Sequence, residues 1–275
     1  MIKSRAQMTP QTPREPVPST PLEVDTTNLT LPLSEHPPKR RLSRLSALLE
    51  VALCSGYPTQ LLIVAILTGL GVAVASDTGQ LSLIWVVILS MADTVLLIAL
   101  VLYFLRGTGD HPRAVFLGTR PIRPELRLGV YLIPVTFFVA LALLAVLHWV
   151  IPGLRNVPEN PFEIFLRSPG SAGVFAVVAV VAGGVREELQ RAFILVRFEQ
   201  SLGGAWVGLG VFSVAFGLGH YPQGWDAVIA TGLLGAFWGV LYLIRRSVVS
   251  TILCHAGFNL TEILVALAAS NASSA

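Results

Sequence analysis

Long apolar runs alternate with short polar or Gly/Pro-containing stretches from residue 45 to residue 268. A helix of about 20 apolar residues crosses a bilayer. The pattern predicts seven such helices: Leu45–Ala75, Leu81–Leu105, Leu128–Ile151, Ser171–Phe198, Ala205–His220, Trp225–Ile244 and Val248–Ala268. A break or interfacial turn is expected in the first near Gly56–Pro58, a reversing turn at Ser76–Gln80, and a stop after the fifth at Pro222. The polar connection Pro152–Pro169 leaves room for a short interfacial helix around Pro161–Arg167. Neither alternating barrel strands nor an inverted transporter-type repeat is present in the pattern. The predicted fold is all-α: a polytopic transmembrane helical bundle of about seven spans, with six to eight compatible with the run lengths.

This pattern divides the chain into four parts. Residues 1–44 are rich in proline and polar residues, without a sustained apolar period, and read as a disordered basic tail. No apolar stretch follows their first basic residues, so they do not read as a cleavable signal. Residues 45–170 are expected to hold the N-terminal helices and loops, 171–268 a helical core, and 269–275 a polar tail.

Composition sharpens the class. The chain is 53% hydrophobic and only 13% charged, against about 25% charged for soluble domains. A net charge of +3 is too small to suggest a nucleic-acid partner. The basic residues fall in clusters: Lys39 to Arg41 with Arg44, then Arg106, Arg113, Arg120, Arg123 and Arg127, then Arg245 and Arg246. With seven spans these clusters share one side, which the positive-inside rule makes cytoplasmic. A multi-pass protein of the plasma (inner) membrane with a cytoplasmic N-terminus is expected. Cys54 and Cys254 form no CxxC pair and read as small packing residues.

Against this apolar background the stretch Gly183–Arg197 stands out, with the adjacent pair Glu187 and Glu188 and the arginines Arg186, Arg191 and Arg197. An ionised group at bilayer depth costs about 2.5–3.5 kcal/mol on insertion scales, so it is kept where something uses or neutralises it. Arg191 is four residues from Glu187 and three from Glu188, within helical reach of both. It can neutralise one carboxylate and leave the other poised. Two further clusters follow: Phe216 with His220, and His255 with Asn259, each pair four residues apart. The Asn259 amide can orient the histidine or donate to a developing oxyanion. If Glu187, His220 and His255 converge, they can activate water by general-base catalysis or by holding zinc. Asp93 is expected to hydrogen-bond a neighbouring helix, and Glu262 to snorkel outward or pair with a neighbour. Gly107-Thr108-Gly109-Asp110 has the form of an aspartyl-protease motif but lies in a polar loop and lacks a Tyr-Asp partner. The chain has no His-Glu-x-x-His.

Glu187-Glu188…Arg191, Phe216…His220 and His255…Asn259, in this order, resemble the CAAX-prenyl-protease and bacteriocin-processing (CPBP, Abi-like) family of intramembrane proteases. The resemblance spans about 171–268. It implies Glu187 as the water-activating residue assisted by His220, and His255 with Asn259 as oxyanion stabilisers. Members have been viewed both as zinc enzymes and as metal-free glutamate proteases, so the cofactor is either none or a divalent metal such as zinc. In the metal case the ligands would be Glu187, His220 and His255. One position departs: the family's arginine falls where this chain has Ala192, so Arg191 is displaced by about 100° around the helix. The resemblance implies an endopeptidase cutting a membrane-associated, prenylated CAAX-type protein or peptide. Two other classes use the same features: a non-catalytic immunity or adaptor protein, and a proton-coupled transporter with a Glu/His relay.

Overall fold

The computed structural model describes residues 42–75 and 79–273; the tail read over residues 1–44 lies almost wholly outside them. Ten α-helices account for most of the described chain: α1 Arg44–Leu53, α2 Tyr57–Gly69, α3 Leu83–Thr108, α4 Pro112–Phe116, α5 Ile122–Val150, α6 Pro169–Val178, α7 Glu187–Ser201, α8 Ala205–Leu218, α9 Trp225–Arg245 and α10 Val249–Ser273. No strand forms among the described residues. The protein is an all-helical, polytopic membrane bundle.

Five helical segments are long and apolar enough to cross a bilayer: α3, α5, the continuous 169–201 segment, α9 and the 249–269 part of α10. The pair α1 and α2, bent by 43°, makes a sixth if counted as one broken span. Its bend falls at Gly56, whose φ of 88° is open to glycine at little steric cost. The seventh apolar run, α8, has 14 helical residues, about 21 Å of helix, and is shorter than the other candidate spans. By length and apolar composition alone, five or six segments qualify as candidate spans. The third predicted helix begins earlier than Leu128: α5 starts at Ile122 and takes in Arg123 and Arg127. Its first turn holds Glu125, which accepts from Arg245 of α9. The connection 152–168 forms two short 3₁₀ turns, at Pro152–Leu154 and Glu163–Arg167.

Glycines let the helices of the second half approach closely. A Cβ at Gly129 of α5 would sit 2.8 Å from that of Leu253 on α10, and one at Gly208 of α8 would sit 2.6 Å from that of Phe198 on α7. A buried ion network pins the end of the bundle where α7 stops. Arg197, fully buried, donates to Glu50 of α1 at 2.6 Å and to Asp110 at 2.8 Å, and also to Thr108 and to the carbonyl of Phe104. Asp110 of the Gly-x-Gly-Asp sequence is thus a partner of Arg197, tying the end of α3 to α7. Burial opposes its charge, but hydrogen bonds from Gln200, Arg197 and Thr108 outweigh this and hold its carboxyl below the usual aspartate range. Cys54 and Cys254 are free thiols, both buried.

Candidate active site

Between α6 and α7 the helix widens into a π-helical stretch, Ala179–Arg186, immediately before the two glutamates. Single π turns inside α-helices recur at functional sites, because each shifts the phase of the residues that follow. Gly183 and Gly184 lie in this stretch and bring it against α10. A Cβ at Gly184 would fall 2.6 Å from that of Ala256, and one at Gly183 would fall 2.6 Å from the amide nitrogen of Asn259. This close approach sets the distance between the glutamates on α7 and His255 on α10.

Glu188 points inward and is 1% exposed. Its Oε1 is ion-paired with Arg191 one turn on and lies 2.9 Å from Nδ1 of His255. Arg191 therefore still reaches a carboxylate despite its displaced position, because residues three and four apart are both helical neighbours. The guanidinium is fully buried and lies over three aromatic faces, 5.0 Å from Phe216, 5.4 Å from Phe212 and 5.7 Å from Trp238. Trp238 of α9 also stacks on His255, with centroids 3.7 Å apart and an interplanar angle of 15°. The imidazole is thus fixed in plane by a carboxylate and out of plane by an indole.

Glu187 is less enclosed. Its Oε2 lies 3.9 Å from Nε2 of His255, and its Oε1 lies 3.6 Å from Nη2 of Arg186. Arg186 in turn lies 3.6 Å from Asp93 and donates to Gln190 at 3.1 Å. Asp93 accepts from Thr59 and Gln60 of α2, which joins the first-half helices to the site. The two glutamates thus have different company: Glu188 is neutralised and buried, while Glu187 stands beside His255 with one flank against Arg186.

The two remaining motif residues each make a hydrogen bond to a backbone carbonyl. His220 sits just beyond α8, its Nδ1 2.9 Å from the carbonyl of Phe216 and its ring 4.9 Å from that phenyl. The Phe216 ring is also 6.3 Å from His255, edge to face. Of Glu187, His220 and His255, the first and third lie in direct proximity, and both histidine rings contact Phe216. α8 is helical to Leu218, and the turn after it directs the His220 ring back onto its own helix. The Asn259 amide donates to the carbonyl of Ala179, which opens the π-helical stretch. That carbonyl is a near and strong acceptor, so the amide clamps α10 to the π turn.

The metal set Glu187, His220 and His255 is not assembled, and among the described residues no three His, Cys, Asp or Glu side chains are grouped to hold a metal. Three neighbours of the site, Trp238, Arg186 and Gln190, are not marked as site residues by the sequence motifs. Arg186 is discoverable from its place directly before the glutamates; Trp238 has no local signal.

The family model described as type II CAAX prenyl endopeptidase Rce1-like matches residues 169–261. This segment is an Rce1-like domain. It begins with α6 and ends within α10, so it includes the π turn, both glutamates, Arg191, His220, His255 and Asn259. Searches of curated proteins and of solved structures each gave no match. The Rce1-like segment brings protease activity in general terms to a multi-pass membrane protein.

Proposed function

We propose that the protein is an intramembrane endopeptidase that hydrolyses a peptide bond of a membrane-associated, prenylated CAAX-type protein or peptide, with Glu187 as general base. The observation that carries this reading is the division of labour between the glutamates. Arg191 neutralises Glu188, and Glu188 fixes His255. Glu187 is then left with its Oε2 beside Nε2 of the imidazole. A water within hydrogen-bond reach of Glu187 gives that carboxylate a proton while its oxygen attacks the scissile carbonyl. Nδ1–H of His255 is donated to Glu188, so Nε2 donates to the developing oxyanion in the imidazolium form of the ring. Collapse breaks the C–N bond, and Glu187 returns the proton to the leaving amine. Asn259 acts by holding α10 in place. His220, its Nδ1 committed to Phe216, has only Nε2 to offer a substrate.

The side chains in this arrangement supply a base, an oxyanion donor and a neutralised second carboxylate without a metal ligand set. The reading places the protein in the plasma membrane with its N-terminus cytoplasmic, from the clustering of arginines at 106–127 and 245–246. The arginine displaced by one position, with Ala192 where the family has it, is what favours the rival, a non-catalytic immunity or adaptor protein on the same scaffold.

The test is product analysis. Proteoliposomes containing the full chain are given a farnesylated CAAX peptide in ¹⁸O-labelled water. The proposal expects release of the three terminal residues, with one label in the new carboxyl of the prenylated product. Persistence of the intact peptide under conditions where the protein is folded and inserted would overturn it in favour of the adaptor reading.

A further inference from the structure

Arg186 takes no part in the chemistry assigned to Glu187 and His255, yet it is placed with care. It stands midway along the 33-residue span Pro169–Ser201, directly before the two glutamates, and is buried. A charge at that depth is kept where something neutralises or uses it. Arg186 meets two carboxylates at once. Its Nη2 lies 3.6 Å from Oδ2 of Asp93 on α3 and 3.6 Å from Oε1 of Glu187. Its Nη1 donates to Gln190, whose own amide donates to the carbonyl of Cys54, just past α1. Asp93 is 1% exposed and is anchored in turn by Thr59 and Gln60 of α2.

The distances to the two carboxylates are those of charge contact rather than hydrogen bonding. Nε of Arg186 is buried and has no hydrogen-bond partner among the described residues. The guanidinium is thus drawn toward Asp93 on one side and Glu187 on the other. Oε1 of Glu187 is attracted without being capped, while Oε2 lies 3.9 Å from Nε2 of His255. Successive helical residues point about 100° apart, so spacing alone does not bring Arg186 onto Glu187. Its contacts with Asp93 and Gln190 come from outside the pair.

We propose that Arg186 is a positioning residue: held by Asp93 and Gln190, it fixes the Glu187 carboxylate toward His255 and leaves its lone pairs free to take a proton. The catalytic part of this inference rests on the endopeptidase reading of Glu187. Asp93 lies outside the segment 169–261 matched by the family model, so the first-half helices act on the site through Arg186. A base displaced by about 1 Å loses about 100-fold in rate. Arg186→Gln leaves the Glu187 carboxylate without its hold. Asp93→Asn frees the guanidinium to close on Glu187 and cap it. Both lower kcat rather than raise KM.

The experiment measures kcat and KM on a farnesylated CAAX peptide with the full chain in proteoliposomes. Arg186→Gln and Asp93→Asn should each cut kcat about 10-fold or more, with KM within about 2-fold of wild type. Arg186→Lys keeps a cation between the carboxylates and should recover most of the loss. Arg186→Gln also leaves Asp93 buried without its counter-ion, so Asp93→Asn/Arg186→Gln, which removes both charges, serves as the folding control. That double variant should regain the thermal midpoint and stay slow. Wild-type kcat in the double variant, or in Arg186→Gln, overturns the proposal and leaves the endopeptidase reading standing. A double-mutant cycle on thermal midpoints needs no hydrolysis. The midpoint shift caused by Glu187→Gln should differ by about 2 °C between the wild-type and Asp93→Asn/Arg186→Gln backgrounds. Such coupling supports the hold on Glu187 even where no peptide is cut; equal shifts overturn it.

Discussion

Glu187 and Glu188 are neighbours in sequence with opposite physical roles. Removing the charge of Glu188 leaves Arg191 buried without its counter-ion, and a broken buried pair costs about 3–5 kcal/mol. Glu188→Gln is therefore expected to lower the thermal midpoint of the detergent-solubilised protein sharply. Glu187 keeps a less enclosed carboxylate whose nearest cation, Arg186, is 3.6 Å away, so Glu187→Gln should leave the midpoint much closer to wild type. Equal destabilisation by the two substitutions would show that the structural division between them is wrong. Trp238 belongs at this scale as well. It stacks on His255 and lies under Arg191, yet nothing in its sequence neighbourhood marks it, because the contact exists only once α9 and α10 pack.

At the scale of elements, the site depends on how closely the π-helical stretch meets α10. A side chain at Gly184 would overlap Ala256, whose Cα and Cβ lie 2.9 and 2.6 Å from the point where its Cβ would stand. Gly184→Val should push the helices apart by about 1 Å, and a displacement of that size costs about 100-fold in rate. Measured cleavage by Gly184→Val near the wild-type rate would contradict this. The Arg197 network at the end of α7 responds to acid. Asp110 is held below its ordinary pKa, so its stabilising contribution is present above the unfolded value of about 3.9 and is lost as pH falls through the lower folded value. A pH series of thermal midpoints should show wild type losing stability below about pH 4. Asp110→Asn should start lower by about 2 kcal/mol at neutral pH and lose less on acidification. Parallel acid curves for the two proteins would remove Asp110 from the account.

For the whole molecule, the hydropathy pattern carries the class and most of the span boundaries, because burial in lipid requires long apolar runs and little else. At α8 the run is apolar for protein packing as much as for lipid contact, and its helix is shorter than the other candidate spans. The pairing of groups across helices is less legible. Spacing along one helix gives the reach of Arg191 to either glutamate, but the choice of Glu188 needs His255 from α10. The position of His220 depends on a turn after Leu218, and that of Asn259 on the carbonyl of Ala179 at the start of the π-helical stretch, neither of which periodicity encodes. The positive-inside arrangement puts residues 106–127 on the cytoplasmic side and the 152–168 connection on the other. Single cysteines introduced as Thr119→Cys and Gly153→Cys, against buried native thiols, test this with an impermeant maleimide on intact cells. Gly153→Cys should be labelled directly and Thr119→Cys only after permeabilisation; the reverse pattern would invert the topology.

The most direct measurement is the initial rate at which full-length protein in proteoliposomes cleaves a farnesylated CAAX peptide, wild type beside Glu187→Gln, with insertion and folding matched. A general base contributes about 10²–10⁴-fold, so the substitution should cut the rate at least 100-fold. A Glu187→Gln protein that cleaves as fast as wild type would contradict the account.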